Sequence, residues 1–268
     1  MPLVTAASLL WLGAAPAARA QDLEAHRPLL PAWSPAGDDG AGALWSNVAN
    51  LGLDPDPSWF GAVAHPLGGA GGTALHLAGN LGPLASGLSY LGGGAAGVPA
   101  WWSLSSGLGL QIDRGLAIGG RLAWHLPEGP ENNFLTGDLG ATWRPIPWLG
   151  ISGTAWDVGA REGGPGGLRP RVGPGLALRP FEDRLLIGAD WSLPPGLPDQ
   201  GRLRGTVRLR PVDAMVVRLS AEQGGVLGFG LELLQGGAGV GAFAAVPTAA
   251  DGQPVGALYA RSAPNKRG

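Results

Sequence analysis

The chain of 268 residues has no cysteine and one lysine, Lys266. The missing thiols exclude disulfides and thiolate metal sites, but they do not fix the compartment. Its cations are therefore nearly all arginines, which stay charged at any ordinary pH. The formal charge of −2 offers no basic excess for nucleic acid. No run of about 20 apolar residues follows the N-terminus, so no transmembrane helix is expected in the mature protein. Long helices are further disfavoured by 49 Gly and 25 Pro.

What the chain does have is strict alternation. In Arg184–Trp191, Leu185, Ile187, Ala189 and Trp191 fall on one side, and Leu186, Gly188 and Asp190 on the other. Leu203, Val207 and Leu209 alternate with Arg202, Arg204, Thr206, Arg208 and Arg210. Met215, Val217, Leu219 and Ala221 alternate with Val216, Arg218, Ser220 and Glu222. A period of two is the strand period. Runs of about ten residues suit a tilted strand that crosses a bilayer. A row of arginines cannot face hydrocarbon, so one face of these strands is wet. Strands apolar outside and polar inside predict an all-β fold, an antiparallel up-and-down transmembrane β-barrel.

Fourteen strands are expected, near 58–65, 72–80, 84–91, 101–112, 115–125, 133–144, 148–157, 171–180, 184–192, 202–210, 214–222, 226–234, 238–246 and 254–262. Every second connection is short and carries Gly, Pro or Asp, as in Asp113-Arg114, Pro211-Val-Asp213 and Gln235-Gly-Gly237. The alternate ones, such as 126–132, 158–170 and 193–201, are longer. Trp143-Arg-Pro, Leu178-Arg-Pro and Leu209-Arg-Pro form a recurring strand ending, closed by proline. The domain reading is a signal peptide over 1–20, a periplasmic or plug segment over 21–56, the barrel over 57–262 and a polar tail over 263–268. Residues 4–12 are largely apolar, and Ala18-Arg-Ala20 is a small-x-small cleavage site, although the positive n-region is missing. A buried helix is the alternative for that stretch. Ala43-Leu-Trp-Ser-Asn-Val-Ala-Asn-Leu-Gly52 is either a segment packed in the barrel mouth or an ordered turn before the first strand.

On the outer face stand Leu104, Leu108, Leu122, Leu135, Leu139 and Leu231, with Trp102, Trp124, Trp143 and Trp191 near strand ends. Tryptophan there suits the aromatic girdles at the membrane interfaces. The inner face is small or polar. So much glycine and alanine leaves little volume for a packed core, which argues against a soluble sandwich.

No catalytic constellation emerges, and no cofactor is expected. His26, His65, His76 and His125 lack metal-ligand spacing. Gly107-Leu-Gly109 is a strand repeat with no following helix, so it is no phosphate loop. The lumen candidates are Arg121, Asp138, Arg144, Arg179, Asp190, Arg202, Arg204, Arg208, Arg210, Arg218 and Glu222. Two roles are open to them. They form an internal charge network that plugs the barrel, since buried charges must be paired. Or the arginines draw in the headgroup of an anionic ligand.

The segment Ala43 to Asp54 resembles the Asn-Pro-Ala-x-Leu stretch before the first strand of FadL-like and PorV-type outer-membrane proteins, with Val48 in place of the usual proline. Asp138-Leu-Gly-Ala-Thr-Trp-Arg-Pro-Ile-Pro-Trp-Leu-Gly150 and Leu176 to Trp191 resemble the barrel-like N-terminal part of myxobacterial signal peptide peptidase A proteins. In those chains a Ser-Lys protease domain follows; no catalytic residue carries over here, which leaves a stand-alone barrel or a piece of a longer chain. The resemblances imply a non-enzymatic barrel in the cell outer membrane, in contact with its lipid, that passes or holds a hydrophobic or amphipathic small molecule. The alternative is a membrane anchor or scaffold for a periplasmic partner such as a peptidase.

Overall fold

The computed structural model describes residues 34–67, 72–92, 100–128, 133–160, 168–181, 184–197, 200–248 and 254–262. The expected signal peptide, residues 21–33 and the tail 263–268 lie outside the described residues, as does Glu182-Asp183, which the sequence offers as another short connection. Two short helices come first, α1 (Ala43–Ser46) and α2 (Asn50–Leu53). Fourteen strands follow: β1 (Ser58–Pro66), β2 (Ala74–Leu81), β3 (Leu84–Leu91), β4 (Trp101–Asp113), β5 (Leu116–Pro127), β6 (Phe134–Ile146) and β7 (Leu149–Val158); then β8 (Arg171–Leu178), β9 (Leu185–Ser192), β10 (Arg202–Val212), β11 (Met215–Glu222), β12 (Val226–Gln235), β13 (Ala238–Pro247) and β14 (Val255–Ser262). Every boundary lies within two residues of its expected place.

Each strand pairs antiparallel with its sequence neighbours, and β1 pairs with β14 from Phe60↔Arg261 to Pro66↔Val255, closing the barrel. Closure removes the open edges that hydrocarbon would leave unsatisfied. The short turns all lie at one end, the end at which β1 begins and β14 finishes. Gly236 and Gly237 both have positive φ, 57° and 83°, which is what a two-residue hairpin turn with the twist of its strands requires.

Burial alternates along the strands, as in BeBeBeBeBe over the first ten residues of β4. The outward side is a continuous apolar band. Trp102, Trp124 and Trp191 stand exposed toward the long-loop end, and Trp59, Trp143 and Trp148 toward the short-turn end. Two rings of tryptophan separated by leucine are the girdles of a membrane-spanning barrel.

Two irregularities mark the wall. The β6–β7 register shifts between Gly137 and Leu139, and Trp156 and Asp157 both turn inward there, Asp157 with φ of 54°. Such a bulge aims an extra side chain into the lumen. The β8–β9 ladder runs only from Gly175↔Asp190 to Leu178↔Ile187, then resumes at a lone bridge, Val172↔Leu193. Pro174 sits in the interval, where it has no N–H to give.

Candidate functional site

The described part of the leading segment, residues 34–54, is folded into the barrel. Its packing explains the glycines of the inner wall. A Cβ at Gly87 or Gly107 would come within 2.7 and 2.8 Å of Leu44. One at Gly109 would lie 2.5 Å from the Val48 carbonyl, one at Gly119 2.8 Å from the Ala49 nitrogen, and one at Gly150 2.7 Å from the Ala36 carbonyl. The segment therefore rests directly on strand backbone. The sequence offered two places for this stretch, the barrel mouth or a turn before the first strand, and the structure has Leu44, Val48 and Ala49 against the inner wall. Glycine does make room on the inner face, but toward the short-turn end the chain's own leading segment takes that room.

Polar contacts orient the plug. Asn47 Nδ2 donates to Thr142 Oγ1 (2.8 Å) and to the Pro35 carbonyl (3.1 Å), and Thr142 Oγ1 donates to Asn50 Oδ1 (2.7 Å). Asn50 Nδ2 donates to the carbonyls of Pro35 (2.9 Å) and Asp38 (2.6 Å). The inward bulge of β7 brings the indole of Trp156 to the Ser46 carbonyl, 3.0 Å away. These bonds satisfy groups that would otherwise be buried without partners.

Three carboxylates, two of them on the plug, meet most of the arginines of the lower lumen. Asp39 pairs with Arg144 of β6 and, at 3.2 Å, with Arg179, the residue after β8. Arg179 also donates to the Gly37 carbonyl. Asp38 accepts from Arg208 Nη1 of β10 at 3.2 Å. On the adjoining wall Glu232 of β12, fully buried, accepts from Arg218 Nη2 (3.0 Å), Arg261 Nε (2.8 Å) and the Tyr259 hydroxyl (3.3 Å). Burial raises the carboxyl pKa of Asp39, but the guanidiniums of Arg144 and Arg179 outweigh it and hold that group below the ordinary carboxylate range.

The eleven sequence-selected residues all face the lumen, but they do not form one cluster. Arg121 and Asp138 are cross-strand partners on β5 and β6, 2.8 Å apart and both buried. Asp138 also accepts from the Asp157 backbone N–H at 2.9 Å. Arg202 and Glu222 pair at 3.5 Å toward the long-loop end. Arg204 stands in register between Asp190 and Glu222. Asp190 accepts from Ser34 Oγ at 3.4 Å. Arg210, near the end of β10, donates to the Asp213 carbonyl of the following turn at 2.9 Å. Asp38 and Asp39 were not selected from the sequence. Their adjacency within a segment of few other charges was the available signal.

The long-loop half differs in character. Ala62, Ala64, Ala74, Ala245 and Ala257 form an apolar sector on β1, β2, β13 and β14, continuous with Leu44 and Trp45 of the plug. Phe60 and Tyr259 stack beneath it with ring centroids 6.5 Å apart, and Trp45 meets Phe60 edge-on at 6.0 Å. Across the lumen the wall is polar: Ser103 Oγ lies 2.8 Å from His125 Nδ1, and His125 Nε2 lies 2.9 Å from Thr136 Oγ1. Among the described residues no group of His, Asp and Glu is placed to hold a metal ion.

The closed barrel has counterparts among solved structures. The fold is shared with FadL-type channels. A monoaromatic hydrocarbon channel, CymD, aligns with a TM-score of 0.57 at 11% identity, covering 86% of this chain and 94% of that one. A Pseudomonas aeruginosa FadL homologue aligns at 0.54 and 10% identity, over 86% and 96% of the two chains. The Pseudomonas putida toluene transporter TodX aligns at 0.52 and 13%, over 87% and 97%. No family model and no curated protein matches the sequence. The resemblance to signal peptide peptidase A proteins finds no support in these comparisons, whereas the FadL-like resemblance agrees with them at the level of fold.

Proposed function

We propose that the protein is an outer-membrane channel for hydrophobic or amphipathic small molecules, without enzymatic activity. The observation that carries this reading is the alanine-lined sector of β1, β2, β13 and β14, which leads from the long-loop end to Trp45 of the plug. Small apolar side chains grouped on one side of the lumen offer a surface on which an apolar solute loses contact with water at little steric cost. The fold shared with a toluene transporter and a hydrocarbon channel supports it. Ligand would bind from the long-loop side and pass the plug sideways or downward. The test is saturable binding of the apolar dye 1-N-phenylnaphthylamine to the barrel in nanodiscs. Filling the sector with Ala257→Phe or Ala62→Phe should weaken binding at least tenfold. Unchanged binding in both variants would sink the proposal.

A second reading takes its support from the plug. Residues 34–54 fill the short-turn half of the barrel, as they would in a membrane anchor or scaffold for a periplasmic protein partner. On that reading the dye does not bind at all, and tagged barrel retrieves a periplasmic partner through its short-turn end.

A further inference from the structure

Arg208 and Arg218 occupy directly opposed positions on β10 and β11, both facing the lumen. Like charges placed opposite one another destabilise a strand pair unless anions lie between them. Arg261 and Arg179 are within electrostatic range of Arg208 as well. The carboxylates that face this group are Asp38 on Arg208, Glu232 on Arg218 and Arg261, and Asp39 on Arg144 and Arg179. Five guanidiniums therefore share three carboxylates, an excess of two positive charges at the floor of the lumen. Arg218 is 4% exposed; its Nη2 is given to Glu232 and the Tyr259 hydroxyl lies beside it, but its Nε and Nη1 make no well-aligned hydrogen bond. On either side of it, the side chains of Arg208 and Arg261 keep 17% and 22% of their surface in contact with solvent. Buried guanidinium donors that are not fully used thus lie beside partly wet ones.

We infer that Arg208, Arg218 and Arg261 form a binding site for a small oxyanion of the phosphate or sulfate class. Guanidinium donors are directional, and a tetrahedral oxyanion presents several acceptors to more than one of them at once. A monovalent halide neutralises less charge and offers no such geometry. The anion shares Arg208 with Asp38, so its occupancy bears on how firmly the Ser34–Asp39 limb of the plug is held. The site does not depend on the channel reading, and either can fail alone.

The test is calorimetric titration of the full chain, in nanodiscs of zwitterionic lipid, with sodium sulfate and then sodium phosphate over a chloride background. One saturable site is expected. Arg208→Gln and Arg218→Gln should each weaken it at least tenfold, and Arg184→Gln, exposed near the turn, should leave it unchanged. Should Arg218→Gln fail to fold because Glu232 loses a partner, Arg208→Gln carries the test alone. Adding anionic phosphatidylglycerol to the discs should not alter the sulfate isotherm. Absence of saturable heat, heat indifferent to Arg208→Gln, or loss of the sulfate site on adding the anionic lipid would each overturn the inference, the last by assigning the arginines to a lipid headgroup.

Discussion

Asp39 accepts a guanidinium nitrogen of Arg179 at 3.2 Å, across 140 positions of sequence, and thereby ties the leading segment to the barrel wall. Arg144 holds the same carboxylate from β6. The plug is thus fixed in two unlike ways. Residues 34–39 carry its ion pairs, at Asp38 and Asp39, whereas residues 43–53 seat backbone and apolar side chains on strand glycines and are oriented by Asn47 and Asn50.

Asp39→Asn should loosen the first limb and spare the second. A hydrogen bond to a charged partner is worth about 1.5–3 kcal/mol, and these groups retain some solvent contact, so the lower end applies. The check is limited proteolysis from the short-turn side: faster cleavage near residue 39 than in the parent, with the barrel intact. Equal rates would show that the pair does not hold the plug.

Acid should act in the same direction. The docked state keeps the Asp39 carboxyl below its ordinary range, so docking favours the ionised form. That contribution is complete above the pKa of a free aspartate and is lost as pH falls through the lower, docked value. The Asp39→Asn variant should lose this acid-dependent part of cleavage near residue 39 and keep whatever remains from other carboxylates. An identical pH profile in parent and variant would exclude Asp39 as the source.

Gly119→Val places a side chain where the backbone of Val48 and Ala49 now lies, each 2.8 Å from an ideal Cβ. The expected result is a folded barrel with its plug displaced, read as raised single-channel conductance in planar bilayers. Gly153→Ala is the control, because nothing lies within 4 Å of its Cβ position. Unchanged conductance in the valine variant would mean that the plug does not close the pore.

Removing one partner of the buried pair Arg121–Asp138 should cost about 3–5 kcal/mol, since the remaining charge is left uncompensated. Replacing both, as Arg121→Met with Asp138→Leu, should recover much of that loss. Urea unfolding in lipid vesicles measures both. Additive losses in the double variant would show that the two residues are not coupled.

Tryptophan depth tests the outer face. Trp102, Trp124 and Trp143 are exposed on the outer face near strand ends, whereas Trp101 is fully buried inside. In single-tryptophan variants, lipids brominated near the headgroup should quench the first three and leave Trp101 bright. Uniformly weak quenching would remove the bilayer from around this band.

The strands, the inner and outer faces and the positions of the described short turns were set by the sequence alone, because a period of two and a Gly or Pro punctuation are properties of neighbouring residues. Arg208 on β10 could be assigned to the lumen in that way. Its partner could not, since Asp38 lies 170 positions earlier and reaches it only once the sheet has closed. The same holds for the glycines of β4 and β5. A missing side chain says that room exists, but what occupies the room depends on which segment is folded back into it. Closing the sheet into a barrel and folding the leading segment inside turned wall glycines into docking notches and a row of arginines into tethers. That step joins residues far apart in the chain, so only the tertiary structure decided it.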